Sequence, residues 1–248
     1  MRIAVIADIH GNFDALQAVV EDLERTRPDL VVNLGDLLSG PLKARETADL
    51  LMSRDWLTVR GNHDRYLIER SLDQLGASDR AAAEEMEPRH FAWLRSLPFS
   101  ARAAEDVALF HATPGDDNTY LTEQVRGGRS EARPVTAVAA DLAGIEASLI
   151  LCGHSHVARA MELLDGRCVF NPGSVGQPAY DDVAPEPHVM QAEGPHARYG
   201  IAERCRAGWR FFFVALRYDW HAAADLALAR GRRDWAHALS TGLALKPD

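Results

Sequence analysis

The sequence predicts an α/β fold. From residue 3 to residue 152, short apolar runs alternate with stretches of helical periodicity, and polar clusters recur just after the apolar runs. The chain has 248 residues, 47% of them hydrophobic, enough to bury one substantial core, so a single domain over residues 1–248 is expected.

Ile3-Ala4-Val5-Ile6-Ala7 reads as a buried strand. Asn12 is placed to cap the helix that follows, in which Leu16, Val19, Val20 and Leu23 share a face. The pattern repeats with Leu30 to Leu34, a helix over Ala44 to Met52, and Trp56 to Val59. Residues 65–97 read as mostly helical, with breaks near Gly76 and Pro88. A strand at Val107 to Phe110, a polar loop from Pro114 to Arg133, a helix carrying Val135, Val138 and Leu142, and a strand from Ser148 to Cys152 complete this half.

Beyond Gly153 the spacing predicts antiparallel strands, with a hairpin turn at Asp165-Gly166. Residues 177–197 contain Pro178, Pro185, Pro187 and Pro195 and read as a long loop. Two more strands flank Ala207-Gly208, and residues 220–248 form a helical extension broken near Gly231. That extension can finish the core, cover a sheet edge or form a homodimer contact.

Composition narrows the function classes. A net charge of −9 argues against non-specific nucleic-acid binding, which depends on lysine and arginine at phosphates. No run of eighteen apolar residues suggests a membrane span. Cys152, Cys168 and Cys205 show neither disulfide nor zinc-knuckle spacing, which fits a cytoplasmic protein. Phosphate-cradling glycine loops and the GxSxG nucleophile elbow are absent.

The chemistry lies at strand ends. Asp8 and His10 follow the first apolar run, Asp36 the second and Asn62 the third; His111 follows the fourth, and His154 and His156 the fifth. Carboxyl ends of strands in an open α/β sheet line a common crevice, so these seven side chains should converge. Imidazoles, carboxylates and an amide oxygen together suit divalent transition metals. His90, His188, His196, His221 and His237 lie outside this pattern.

Asp8-Ile9-His10, Gly35-Asp36, Gly61-Asn62-His63-Asp64, His111 and Gly153-His154-Ser155-His156 resemble the ordered motifs of the calcineurin-like metallophosphoesterase superfamily. Asn171 to Pro178 resembles a segment of its small prokaryotic phosphodiesterase branch. The resemblance spans residues 1–219 and implies a four-layer α/β/β/α sandwich of two mixed sheets. It also implies two divalent ions drawn from Mn, Fe, Zn, Ni and Co. One would be held by Asp8, His10, Asp36 and His156, the other by Asp36, Asn62, His111 and His154, with Asp36 bridging. A water shared by the ions would supply the attacking hydroxide. His63 would face the substrate and protonate the leaving oxygen, oriented by Asp64.

The expected reaction is hydrolysis of a phosphodiester or phosphomonoester, on a small or nucleotide substrate. A protein phosphatase or dinucleoside polyphosphate hydrolase would share the motifs, whereas a non-catalytic scaffold has no use for His63. Tyr120, Arg126 and Arg129, after the His111 strand, are candidates for substrate binding, the arginines by bidentate contact to an anion.

Overall fold

The computed structural model describes residues 1–192 and 194–245. The N-terminal third alternates β1 (Arg2–Ile6), α1 (Phe13–Thr26), β2 (Leu30–Asn33), α2 (Ala44–Met52) and β3 (Leu57–Thr58). Three helices follow, α3 (Asn62–Glu69), α4 (Ala77–Glu85) and α5 (Pro88–Ser96). The middle contains β4 (Ser100–Ala104), β5 (Val107–Phe110), β6 (Glu123–Arg126), β7 (Arg129–Ala132), α6 (Val135–Asp141) and β8 (Leu149–Leu151). Then come β9 (Arg159–Glu162), β10 (Cys168–Asn171), β11 (Ala179–Asp182), β12 (His188–Gln191), β13 (Ala197–Cys205), β14 (Gly208–Leu216), α7 (Trp220–Ala229) and α8 (Arg233–Thr241).

Two mixed five-stranded sheets form the centre, ordered β14-β13-β1-β2-β3 and β4-β5-β8-β10-β9. The parallel strands β1, β2 and β3 lie in one, and β5, β8 and β10 in the other, flanked by antiparallel partners. Strand alternation explains the layering. Ile3, Val5, Val32 and Leu34 face Val107, Leu109, Leu149, Leu151 and Phe170 between the sheets. Ala4 and Ile6 point the other way, toward Leu16, Val19, Ala48 and Leu94 on the helices. Phe110, Ile150 and Val169 turn outward onto Val138 and Leu142 around α6. The result is helix, sheet, sheet, helix.

Asn12 caps α1 as expected, its Oδ1 accepting from the Ala15 N–H at 3.1 Å. The hairpin at Asp165-Gly166 joins the antiparallel pair β9 and β10. Two expected loops are instead structured: β6, β7, β11 and β12 form a third sheet in the order β11-β12-β7-β6. Residues 177–197 therefore are not one long loop. Their prolines fall outside β11 and β12, between which Pro185 and Pro187 lie, while His188 and Met190 alternate into the interior. The 114–133 stretch holds a tight hairpin whose turn, Gly127-Gly128, has φ values of 57° and 77° at its two central positions, as a type I′ turn requires.

Helices α7 and α8 pack through Ala223, Ala227, Trp235 and Leu239 around Leu42, just beyond the Asp36 turn. The C-terminal extension therefore seals the side of the molecule where the parallel strands end. Its last three positions, 246–248, lie outside the described residues.

Phe170 ties the two sheets together: fully buried on β10, it stacks against Phe211 of β14 at 4.7 Å between centroids. Phe170→Ala is expected to lower stability by about 3–5 kcal/mol, read from urea unfolding monitored by circular dichroism. A loss under ~1 kcal/mol would contradict this account of the inter-sheet core.

Candidate metal centre

The seven expected ligands converge, because both sheets present the carboxyl ends of their parallel strands to one side. Asp8 and His10 leave β1, Asp36 leaves β2, His111 leaves β5, and His154 and His156 leave β8; Asn62 opens α3. Five of them, Asp8, His10, Asp36, His154 and His156, have φ between 52° and 68°. Side chains rarely adopt this left-handed region, and each instance costs about 1–3 kcal/mol unless its surroundings impose it. Here they do. The Asp8 N–H donates to Gly35 O at 3.0 Å, and the N–H groups of Ile9 and His10 both donate to Asp36 O. The Asn171–Pro178 segment braces the same turns: Ser174 Oγ donates to Asp8 O at 2.7 Å, and Asn171 Nδ2 to Gly153 O at 2.8 Å. Gly61 is required by close approach, since a Cβ there would lie 2.1 Å from Asp36 Oδ1.

Backbone carbonyls orient the imidazoles. A carbonyl only accepts, so His10 Nδ1 donates to Ser39 O (2.8 Å), His156 Nδ1 to Gln177 O (2.7 Å) and His111 Nδ1 to Leu34 O (2.8 Å). Each neutral ring is thereby left with a bare lone pair on Nε2. The Nε2 atoms of His10 and His156 face each other at 3.1 Å. His111 Nε2 lies 3.0 Å from Asn62 Oδ1 and 3.3 Å from Asp36 Oδ2. His154 is reversed, its Nε2 donating to Asn118 O at 2.8 Å, which leaves Nδ1 as its donor atom.

Lone pairs converge in this way around a cation or a proton. Asp8, His10 and His156 form one group, and Asp36, His111 and His154 another, with ligand atoms in each within 4.8 Å of one another. Asp36 Oδ2 stands between the groups, 3.8 Å from His10 Nε2 and 3.3 Å from His111 Nε2. The nitrogen and oxygen set fits divalent transition ions.

Without ions, protons occupy the site. Burial pushes the Asp8 carboxyl up to about 8, and it holds His10 down at about 4. Burial likewise depresses His156, and burial together with His111 depresses His154. Burial also opposes charge on His111, but Asp36 outweighs it and raises that imidazole to about 10.

The supporting residues depart from expectation. Asp64 does not orient His63. Its carboxylate is fully buried and accepts from the N–H groups of Asp36 (2.9 Å), Leu37 (3.0 Å) and Gly61 (2.8 Å), locking two ligand turns together. The partner of His63 Nδ1 is Asp79 Oδ1 at 2.7 Å. Nothing in the sequence pointed to Asp79, a polar position among polar neighbours on α4. Arg126 and Arg129, expected to contact substrate, pair with each other across the exposed end of the β6–β7 hairpin and are not among the residues that line the cleft. Tyr120 is buried with its ring stacked on His154 at 4.9 Å and its O–H donating to His188 Nε2 at 3.0 Å; it packs behind a candidate ligand and is not among the residues that line the cleft.

The ligands floor a cleft of about 550 Å³ whose walls include His63, Tyr66, Asn118, Tyr180 and Trp235. Tyr180 packs 4.7 Å from the His156 ring. Arg232 reaches the cleft wall with its guanidinium held by both carboxylate oxygens of Asp234 and by Ser78 Oγ.

Two outcomes follow from this geometry. Titrating divalent metal into stripped protein at pH 7 should release at least about one proton per chain, because Asp8 and His111 surrender protons to become ligands. Calorimetry in buffers of differing ionisation enthalpy measures this, and no buffer dependence would contradict it. Asp64→Ala strands three buried amides at about 1–3 kcal/mol each and should cost roughly 3–5 kcal/mol by chemical denaturation, with weakened metal retention. A variant of near-normal stability would refute the locking role.

The calcineurin-like phosphoesterase superfamily domain matches residues 1–191. An uncharacterized protein of Methanocaldococcus jannaschii is 28% identical over 205 residues, covering 71% of this chain and 76% of that protein. The crystal structure of a metallophosphoesterase from Sphaerobacter thermophilus superposes with a TM-score of 0.75 at 25% identity, over 98% of this chain and 99% of that one. A hypothetical protein from Pyrococcus horikoshii OT3 has the same fold, with a TM-score of 0.74 at 19% identity over 97% and 98% of the two chains. With the family domain spanning most of its length, and the ordered ligand turns in place, this chain belongs to the calcineurin-like phosphoesterase superfamily.

Proposed function

We propose that the protein hydrolyses a small phosphodiester or phosphomonoester, a nucleotide among the candidates, using two divalent ions from the group Mn, Fe, Zn, Ni and Co. The observation that carries this reading is the pair of ligand groups meeting at Asp36 Oδ2 beneath a cleft that His63 also lines. When bound, such ions supply Lewis acidity at the phosphoryl oxygens and make water ionisable near neutral pH.

The remaining work falls to the side chains. Asp36 would be shared, and Asp8, His10 and His156 would complete one ligand set, with Asn62, His111 and His154 completing the other. His63 supplies a proton. In the metal-free protein burial opposes its charge, but Asp36 and the Asp79 bond outweigh burial and raise the imidazole to about 9. A cationic imidazole at the cleft can donate to a phosphoryl oxygen or protonate the departing alkoxide.

Two groups near this floor, Ser155 and Cys152, are poorly placed to act as nucleophiles. Ser155 is buried and accepts from Asn171 Nδ2 at 3.1 Å, and burial pushes the Cys152 thiol upward. The cleft volume suits a small molecule better than a protein surface. The net charge of −9 supports a small phosphorylated partner over nucleic acid. Among the described residues no helix is long and apolar enough to cross a membrane, and the proposed setting is the cytoplasm.

The test is a panel of a model monoester, a model diester and nucleotides, offered to stripped protein reloaded with Mn, Ni or Zn. Turnover that returns with metal is expected; no turnover with any metal would favour a binding scaffold. His63→Ala should lower turnover by roughly 100-fold while metal content stays unchanged, and near-normal turnover would remove His63 from the reaction.

A further inference from the structure

We infer that Asp79, outside every motif of the sequence, is the positioning residue that aims His63 at the leaving oxygen. The inference rests on the phosphoesterase reading and adds the group that makes His63 effective. Asp79 is 3% exposed, yet its carboxylate oxygen lies 2.7 Å from His63 Nδ1, the closest polar contact of that ring. The other contact, Ser39 Oγ at 3.3 Å, is longer and uncharged. Carboxylates only accept, so Nδ1 is the donor and Nε2 is the atom left for the cleft. His63 Nε2 has no partner among the described residues, and His63 lines the cleft beside His10 and Asp36.

The placement of Asp79 is itself constrained. It stands in the first turn of α4, where a carboxylate is favoured by the helix dipole. Its neighbour Ser78 is held twice: its carbonyl accepts from the Gly40 N–H at 3.2 Å, and its hydroxyl accepts from Arg232 Nη1 at 2.9 Å. Gly40 belongs to the Asp36 turn and Arg232 to the C-terminal helices, so α4 is pinned between the ligand loop and the extension. A rigid carboxylate behind a partly exposed imidazole fixes which nitrogen faces the substrate and in what direction. Asp64 cannot serve here, since its oxygens are taken by three backbone amides.

The balance of the step is simple. As the bond from phosphorus to the leaving oxygen breaks, His63 Nε2–H gives its proton to that oxygen, while the Nδ1–H stays on the ring and remains bonded to Asp79. A positioned proton matters most when the leaving oxygen is basic, so losing Asp79 should hurt alkyl esters more than nitrophenyl esters.

The experiment is a double-mutant cycle on the metal-loaded protein with Asp79→Ala, His63→Ala and both together, each assayed on a nitrophenyl and an alkyl phosphoester. Asp79→Ala should lower kcat on the alkyl ester by roughly 10- to 100-fold, with a smaller loss on the nitrophenyl ester, KM within about threefold and metal content unchanged. The double variant should be no slower than His63→Ala, because the two side chains act as one unit. Asp79→Asn, which keeps the shape but replaces the charged carboxylate by an amide, repeats the test should the alanine variant fold poorly. In the zinc-loaded protein a downfield, hydrogen-bonded His63 Nδ1 proton should appear in the NMR spectrum and vanish in either variant. Losses that multiply in the double variant, or an Asp79→Ala within about threefold of wild type beside a crippled His63→Ala, overturn this inference alone. A wild-type-like His63→Ala overturns the assignment of His63 and this inference with it.

Discussion

The centre depends on backbone carbonyls accepting imidazole Nδ1–H bonds. Ser39 O, Leu34 O and Gln177 O each fix one ring, and each lies on a segment already bound to a ligand turn. With Nδ1 committed, three Nε2 atoms must point inward. Two of them meet at 3.1 Å, a distance at which neutral nitrogens repel unless a positive charge joins them. The fold has therefore assembled electron density that only protons or cations can relieve. Burial raises Asp8 as a proton holder and keeps His10 neutral, while Asp36 raises His111 against burial.

Such an arrangement is costly, and the surrounding structure shows how it is kept. Five ligands adopt left-handed backbone angles, and the turns that carry them share hydrogen bonds with one another before they share any ion. Asp64 joins the Asp36 turn to the start of α3. Asn171 and Ser174 join the His154 and Asp8 turns to the strand that follows. The third sheet and the segment before it add a further layer: Tyr120, ahead of β6, lies against His154, and Tyr180 on β11 against His156. Ligand geometry is thus preorganised by packing, which is what a site holding ions for chemistry needs.

Much of this was legible in the sequence because the parallel strands are buried on both faces. Their apolar runs end abruptly, and the polar residues beyond them could only gather at one edge. Asn12, the Asp165-Gly166 turn and the break near Gly231 were readable from local chemistry alone. What stayed hidden depends on long-range pairing. Asp79 meets His63 across 16 residues and another helix, with no periodic signal to mark it. Tyr180 and the third sheet were masked by prolines, which punctuate a hairpin there without abolishing it. The Gly127-Gly128 turn was a visible signal that the polar composition around it obscured, and the arginines beside it lead away from the cleft.

The C-terminal helices help to wall the cleft. Trp235 packs its ring 6.1 Å from that of His10, and Arg232 bridges α8 to the helix that carries Asp79. The cleft wall and the placement of α4 therefore depend on the same part of the chain. All of this presupposes that two ions sit where the lone pairs converge. Anomalous diffraction from crystals of the manganese- or zinc-loaded protein tests that most directly. Two peaks are expected, one among Asp8, His10 and His156 and one among Asp36, His111 and His154, whereas a single peak or none would contradict a two-ion centre.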